Sequence, residues 1–411
     1  MKVHSYKERI FPMNATGIVV EYNPFHNGHF YHVNETKRKA ESDVIIAVMS
    51  GSFLQRGEPA LVDKWTRTKM ALSNGVDIVV ELPYAFSTQK AETFATGAIQ
   101  ILNHMKCRSF CFGSEEGQLD PFLQTSARLY EEKEALDECV RSSMKKGNSY
   151  PTAQTLARKT IFRDQPLPLD LSKPNNILGF HYVTANNELN HPMEPLTILR
   201  QGAGYHDEQA SGHIASATAI RHLLFDKKQA DHFLPPSVLS ILTEHRQNGL
   251  IHSWELYWPL LRYRLLSIHL DDLNAIYEIE EGIGPRLIDA ALKSNTFLSF
   301  MEQVKTKRYT WTRIQRMLTH VLTNTTKKEM NDAAAHASFV RLLGMTENGR
   351  SYIRSIKKEM TVPLLSRTAT DIDLLSLDIK ASRVYAAAST APAHYTEKLL
   401  DHEFSAPPIL L

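Results

Sequence analysis

Two imidazoles flank a glycine in His26-Asn27-Gly28-His29, and these are the residues whose types and spacing point most directly to chemistry. A glycine lets backbone amides approach an oxyanion closely, and the start of a helix presents N–H groups that have no partner within the helix. Imidazoles beside such a cradle can donate hydrogen bonds to the nonbridging oxygens of a phosphate as charge builds in a transition state. That is electrostatic catalysis of attack at phosphorus, and it needs no protein nucleophile. Surface histidines in a turn would show the same spacing by chance. What favours the phosphate site is its place directly after the apolar residues 15–21, which read as a buried strand. Residues 214–221 offer a second cradle, with Ser216 and Thr218 at a helix start and Arg221 one turn further on. Alone, that segment reads as a capped helix with a solvated arginine; paired with the first motif in one domain, it reads better as a second phosphate contact.

The elements that must position these residues alternate. Short apolar strands are expected at 15–21, 43–49, 76–82, 108–112 and 195–200. Helices are expected at 28–41, 63–73, 89–105, 121–145 and 216–225, with a glycine-containing loop at 202–212. This alternation predicts an α/β fold with a Rossmann-like parallel sheet and right-handed crossovers. From about Pro235 the pattern changes to helices, at 253–266, 273–280, 284–293 and 311–322. The expected organisation is a tail at 1–14, an α/β catalytic domain at 15–234 and a mainly α-helical domain at 235–411.

A chain of 411 residues suits two cores rather than one. Its 43% hydrophobic and 22% charged residues are those of an ordinary globular protein. The net charge of +2 is nearly balanced, so any nucleic-acid surface must be a local patch. One such patch is 305–316, where Lys305, Lys307, Arg308, Arg313 and Arg316 accompany Tyr309 and Trp311 with no acid. Basic groups there would hold phosphates and the aromatics would stack on splayed bases, although a helix start with a charged outer face reads the same way. Residues 141–146 and 354–358 are weaker patches of the same kind. Cys107, Cys111 and Cys139 are odd in number and form no metal spacing, which suggests a reducing compartment, the cytoplasm. No apolar run approaches the roughly 20 residues of a membrane helix, so no membrane is expected, and no protein partner is evident.

The two phosphate elements are similar to the HxGH and ISxT signatures of the nucleotidyltransferase superfamily. More narrowly, residues 17–29, 49–60, 64–71 and 112–115 resemble the bacterial tRNA(Met) cytidine acetate ligase family. The resemblance implies that ATP activates acetate as acetyl-adenylate, and that acetyl then passes to the exocyclic amine of the wobble cytidine of elongator tRNA(Met), forming N(4)-acetylcytidine. It implies catalytic roles for His26 and His29. It implies an ATP-binding run of Val19, Val20, Glu21, Tyr22, Asn23, Pro24, Phe25, His26, Asn27, Gly28, His29, Phe30, Tyr31 and His32. Gly113, Asn175 and Arg200 join that run by position, along with Ser216 and Thr218. The helical domain would hold the tRNA. Magnesium is expected with ATP, without a nameable side-chain ligand. One of Lys64, Arg67 and Lys69 could steady the triphosphate, unless all three belong to a solvated helix face. Glu21 could orient a histidine or a metal, or be a strand-end carboxylate satisfied by backbone amides. The competing readings are an adenylyltransferase for a phosphorylated small metabolite and an RNA-binding protein with an inactive nucleotide fold. A class I synthetase is disfavoured because no Lys-Met-Ser-Lys-Ser loop occurs.

Overall fold

Strands β1 (Ala15–Val20) and β2 (Val44–Ser50) pair in parallel at the centre of the sheet. β2 is buried along its whole length, as a strand covered on both faces must be. Its alternate side chains enter two cores. Val44, Ile46 and Val48 meet Phe94, Ala98 and Leu102 of the helix Ala91–His104. Ile45, Ala47 and Met49 meet Val33 of helix α1 (Asn27–Lys39) and Met70 of helix α2 (Lys64–Leu72). The computed structural model describes residues 13–201, 214–226, 228–280, 282–366 and 373–411. The expected tail up to residue 12 and the loop expected at 202–212 lie outside the described residues.

Strands β3 (Ile78–Leu82), β4 (Ser109–Ser114) and β5 (Glu194–Leu199) extend the parallel sheet. The chain lays β1, β2 and β3 outward in one direction, then returns to add β4 and β5 on the other side of β1. Where strand order reverses in this way, the loops after neighbouring strands diverge and leave a crevice at their carboxyl ends. That crevice lies at the end of β1.

Beyond residue 235 the chain is mainly helical but not confined to helices. Strand β6 (Val340–Met345) runs antiparallel to β3, and β7 (Leu364–Leu365) and β8 (Ile409–Leu410) pair with β6. Among the described residues the sheet has eight strands, and it crosses the boundary expected near 235. A six-residue apolar run is too short for periodicity to tell strand from helix, and β3 would otherwise present an open edge. Two expected helices also differ. That at 121–145 is two, Asp120–Glu131 and Lys133–Lys145. That at 273–280 is replaced by Leu270–Ala275, because Ile276 leaves the helix to bridge Thr326.

The helices Trp254–Ser267, Ile283–Lys293, Phe297–Val304 and Trp311–Leu322 bury Tyr257, Leu261, Leu287, Phe300 and Leu318 in a core of their own. The loop after β2 reaches into this core with Phe53, Leu54 and Ala60. At its tip Gly57 has φ 80° and lies so close to the last helix that a Cβ would stand 2.4 Å from the Arg316 backbone nitrogen. The Gly57 carbonyl accepts a hydrogen bond from Thr319 Oγ1 at 2.7 Å.

A buried charge cluster joins the sheet edge to the C-terminal region. Lys64 Nζ lies 2.8 Å from Glu81 and 2.9 Å from Glu403, and Arg341 pairs with both carboxylates. Two cations and two anions balance there, which is the condition for burying charge. Asp378, also buried, accepts from the Tyr84 backbone N–H at 2.8 Å and has its carboxyl pushed up to about 7, first by burial and then by Glu81.

Two buried histidines in the helical core make stability depend on pH. His252 Nδ1 lies 2.8 Å from Tyr257 Oη, and His320 Nδ1 lies 2.8 Å from Tyr84 Oη. Burial lowers His252 to about 4 and His320 to about 3, from an ordinary 6.5. Depressed values mean that their contribution is complete above 6.5 and is lost as pH falls, because the unfolded chain takes up protons that the folded one refuses. Each ring should remove on the order of 1–2 kcal/mol between pH 7 and pH 5. Thermal denaturation should show Tm falling over that interval; a flat Tm would contradict the buried neutral rings.

Candidate active site

The site begins where β1 ends. Tyr22 takes φ 50°, a left-handed conformation uncommon for a side chain of this size, and turns the chain toward α1. Its ring is buried against Phe25 at 4.7 Å and the edge of His29 at 4.9 Å. Asn23 fixes the turn on both sides: its Oδ1 accepts from the Leu61 N–H at 2.7 Å, and its carbonyl accepts from Arg221 Nη1 at 3.0 Å. Beneath, the fully buried Arg67 donates to the carbonyls of Glu21, Ser50, Gly51 and Val62, tying the carboxyl ends of β1 and β2 together.

Helix α1 is capped by its own histidines. The Gly28 N–H donates to His26 Nδ1 at 3.0 Å, and the His26 N–H donates to His29 Nδ1 at 3.3 Å. An Nδ1 that accepts leaves the proton of a neutral ring on Nε2. The two rings stack with centroids 3.8 Å apart. Burial, then Arg200 and Arg221, lowers His26 to about 3; burial, then His26 and Arg200, holds His29 well below 6.5. His32 follows one turn on, lowered to about 4 by burial and Arg200. The result is a pair of neutral imidazoles, each an N–H donor at Nε2, at a helix N-terminus. Gly28 is required in the middle, since a Cβ there would stand 2.8 Å from His26 Cε1.

These rings line a cavity of about 310 Å³ at the switch point of the sheet. Val19, Val20, Glu21, Tyr22, Asn23, Gly28, Tyr31 and His32 line it too, with Gly113, Asn175, Arg200, Ser216 and Thr218. Gly113 leaves room for the Arg200 side chain, whose Cγ would lie 3.2 Å from an added Cβ. Asn175 donates from Nδ2 to Glu115 Oε1 at 2.7 Å, and the same carboxylate receives the Asn176 N–H at the start of the helix Pro174–Asn187. Ser216 caps the helix Ala217–Phe225, accepting from the Ala219 N–H at 3.1 Å. Arg221 is held between Glu58 at 2.9 Å and Asn23, so it braces the wall.

A model of the HIGH Nucleotidyl Transferase family matches residues 13–399. The tRNA(Met) cytidine acetate ligase of Bacillus licheniformis is 47% identical over 406 residues, spanning 97% of each chain. That of Bacillus subtilis is 46% identical, spanning 92% of this chain and 94% of the other. This chain belongs to the tRNA(Met) cytidine acetate ligase family. Crystal structures of Thermotoga maritima TmcAL, one apo and one bound with alpha-thio ATP, are 31% identical to it. Their TM-scores are 0.90 and 0.88, and each match covers 97% of this chain and 100% of that one.

Several residues expected in the site of this ligase-family chain have other places. Pro24, Phe25, Asn27 and Phe30 do not line the cavity: Phe25 is in the core, Asn27 donates to the His232 carbonyl at 2.9 Å, and Phe30 is exposed. Lys64 and Arg67, weighed as triphosphate contacts, are internal ties because their partners Glu81, Glu403 and the strand-end carbonyls surround them; Lys69 is exposed. The basic patch divides. Lys305, Lys307 and Arg308 are exposed, whereas Arg316 pairs with Glu278 at 2.8 Å and Arg313 with Glu280 at 3.5 Å. Tyr309, expected to stack on bases, is instead buried beneath Arg313. Sequence reasoning assigned no role to Gln55, Arg56, Glu58, Phe94 or Tyr182, all of which line the cavity. A signal existed for the first three: Gly51, Gly57 and Pro59 mark a turn-rich loop at the carboxyl end of a strand.

The capping geometry makes a spectroscopic prediction. In ¹⁵N spectra of histidine-labelled protein, His26 and His29 should remain neutral Nε2–H tautomers down to pH 5, and Gly28→Ala should perturb His26 first. A His26 ring that titrates near 6.5 would refute the assigned geometry.

Proposed function

We propose that this chain is a ligase that uses ATP to activate acetate as acetyl-adenylate and transfers the acetyl group to the exocyclic amine of the wobble cytidine of elongator tRNA(Met). The observation that carries this reading is the pair of neutral imidazoles, each with its proton on Nε2, that line the cavity at the start of α1 beside Arg200, in a chain of this family. In the first step an acetate oxygen attacks the α-phosphorus of ATP. The acyl O–P bond forms, the bond to the β-phosphate oxygen breaks, and pyrophosphate leaves with the electron pair. His26 and His29 donate to the nonbridging α-oxygens as they gain charge, and Arg200 supplies positive charge. The second step forms an N–C bond to the carbonyl carbon and expels AMP.

Among the described residues, no group of three His, Cys, Asp or Glu side chains could hold a metal ion. Magnesium would arrive bound to the triphosphate of ATP and neutralise part of its charge. Among the described residues no helix is long and apolar enough to cross a membrane, and the cytoplasm, where ATP and tRNA meet, is the expected compartment. Lys305, Lys307 and Arg308 are exposed between the helices Phe297–Val304 and Trp311–Leu322, and in this reading they would meet tRNA phosphates.

Pyrophosphate release from ATP should depend on acetate, and tRNA(Met) incubated with the protein should gain one acetyl group on its wobble cytidine by mass spectrometry. Release that depends instead on a phosphorylated metabolite would move the protein to the adenylyltransferase reading. His29→Ala should lower pyrophosphate release by about 10²–10³-fold, and undiminished release would remove its catalytic role. Lys305→Ala with Lys307→Ala should weaken tRNA binding and lower the salt slope by about one to two, while acetate-dependent release without tRNA stays as in the wild type.

A further inference from the structure

One carboxylate in the cavity has no place in the adenylation step. Glu21 follows β1 directly and lines the cavity, yet its side chain contacts the loop after β2 rather than β4 or β5. Oε1 accepts from the Gln55 N–H at 2.8 Å, while Oε2 has no hydrogen-bond partner among the described residues. Glu21 is partly exposed, so Oε2 opens into the cavity as an acceptor that a ligand can meet. Phe94, Phe112 and Tyr182 line the same cavity with buried rings, Phe112 and Tyr182 lying 6.0 Å apart. A flat base pushed out of a tRNA loop needs such walls and a polar group at its edge. The loop that holds Oε1 packs through Gly57 against the helix Trp311–Leu322, next to the exposed basic residues.

We propose that Glu21 is the catalytic residue of the transfer step, accepting a hydrogen bond from the exocyclic amine of the acceptor cytosine at Oε2 and removing its proton. This rests on the functional reading above. The amine nitrogen, weakly nucleophilic because its lone pair is shared with the ring, attacks the carbonyl carbon of acetyl-adenylate. The N–C bond forms, the C–O bond to AMP breaks with the electron pair going to AMP, and the amine proton passes to Oε2. A carboxylate acceptor at that edge also selects cytosine, which presents N–H donors, over uracil, which presents a carbonyl oxygen. Burial raises the Glu21 carboxyl above its ordinary value, which strengthens it as a base. The charged and titratable groups around it are Arg56 and Glu58 of the loop, Arg67 of α2, Arg221 and Tyr182.

The test separates the two half-reactions in Glu21→Gln, comparing acetate-dependent exchange of pyrophosphate into ATP with single-turnover acetyl transfer to tRNA(Met). Transfer should fall at least about 10²-fold more than exchange, within the about 10²–10⁴-fold range of a lost general base, and the rise of transfer with pH through the Glu21 titration should vanish. Equal losses in both half-reactions, or transfer within about threefold of the wild type, overturn the assignment. Should Glu21→Gln fail to fold, Glu21→Asp decides: a deficit in transfer beyond that in exchange supports the role, and equal deficits overturn it. Wild-type protein that shows no acetate-dependent exchange overturns the functional reading itself, a result distinct from either variant's failure.

Discussion

Two imidazoles can stabilise a phosphate transition state as neutral donors only while their protons sit on Nε2, and the first turn of α1 enforces that. The same backbone N–H groups that a helix must satisfy at its start are given to Nδ1 of His26 and of His29. Capping and tautomer choice are one interaction. Everything around it keeps the geometry: Gly28 leaves space for the His26 ring, Tyr22 and Phe25 pack against His29, and Asn23 and Arg67 pin the turn to the strand ends. Because the rings are buried and face Arg200 and Arg221, protonating them is unfavourable, so positive charge is supplied by the arginines and directional N–H groups by the histidines.

The loop after β2 does two jobs at once. One side lines the cavity with Gln55, Arg56 and Glu58; the other enters the helical core through Phe53, Leu54 and Gly57. Glu58 reaches across to Arg221, which in turn holds Asn23. The wall of the site and the body that would carry a macromolecular substrate therefore share a single short segment, and a shift of one is a shift of the other.

How much of this was visible beforehand follows from the range of the interactions. The histidine motif, the alternating strands and the second cradle are local patterns, and residues 15–21, 43–49 and 214–221 carry them in their own order. Lys64 and Arg67 were ambiguous because a helix bearing basic residues looks like a solvated face; what buries them is Glu81, Glu403 and carbonyls of other strands. The return of β6 to the sheet was hidden for the same reason, since a short apolar run gives no sign of a partner in β3. Arg313 and Arg316 look free in a segment without acids, but Glu278 and Glu280 come from a neighbouring turn. Local chemistry was legible, and long-range pairing was not.

The cluster at the β3 edge has a bearing on how the chain reaches this state. Lys64 and Glu403 are 339 positions apart, and β3 acquires its outer neighbour only from residues near 340. As the polypeptide emerges during synthesis, the first five strands can assemble while that edge is still uncovered and Lys64 has only one of its two carboxylates. Loop closure over such a span is slow, and an exposed flat edge invites pairing with other chains. The final packing step thus both neutralises the interior and removes an aggregation-prone border, so nascent and fully made protein should differ sharply in their need for chaperones.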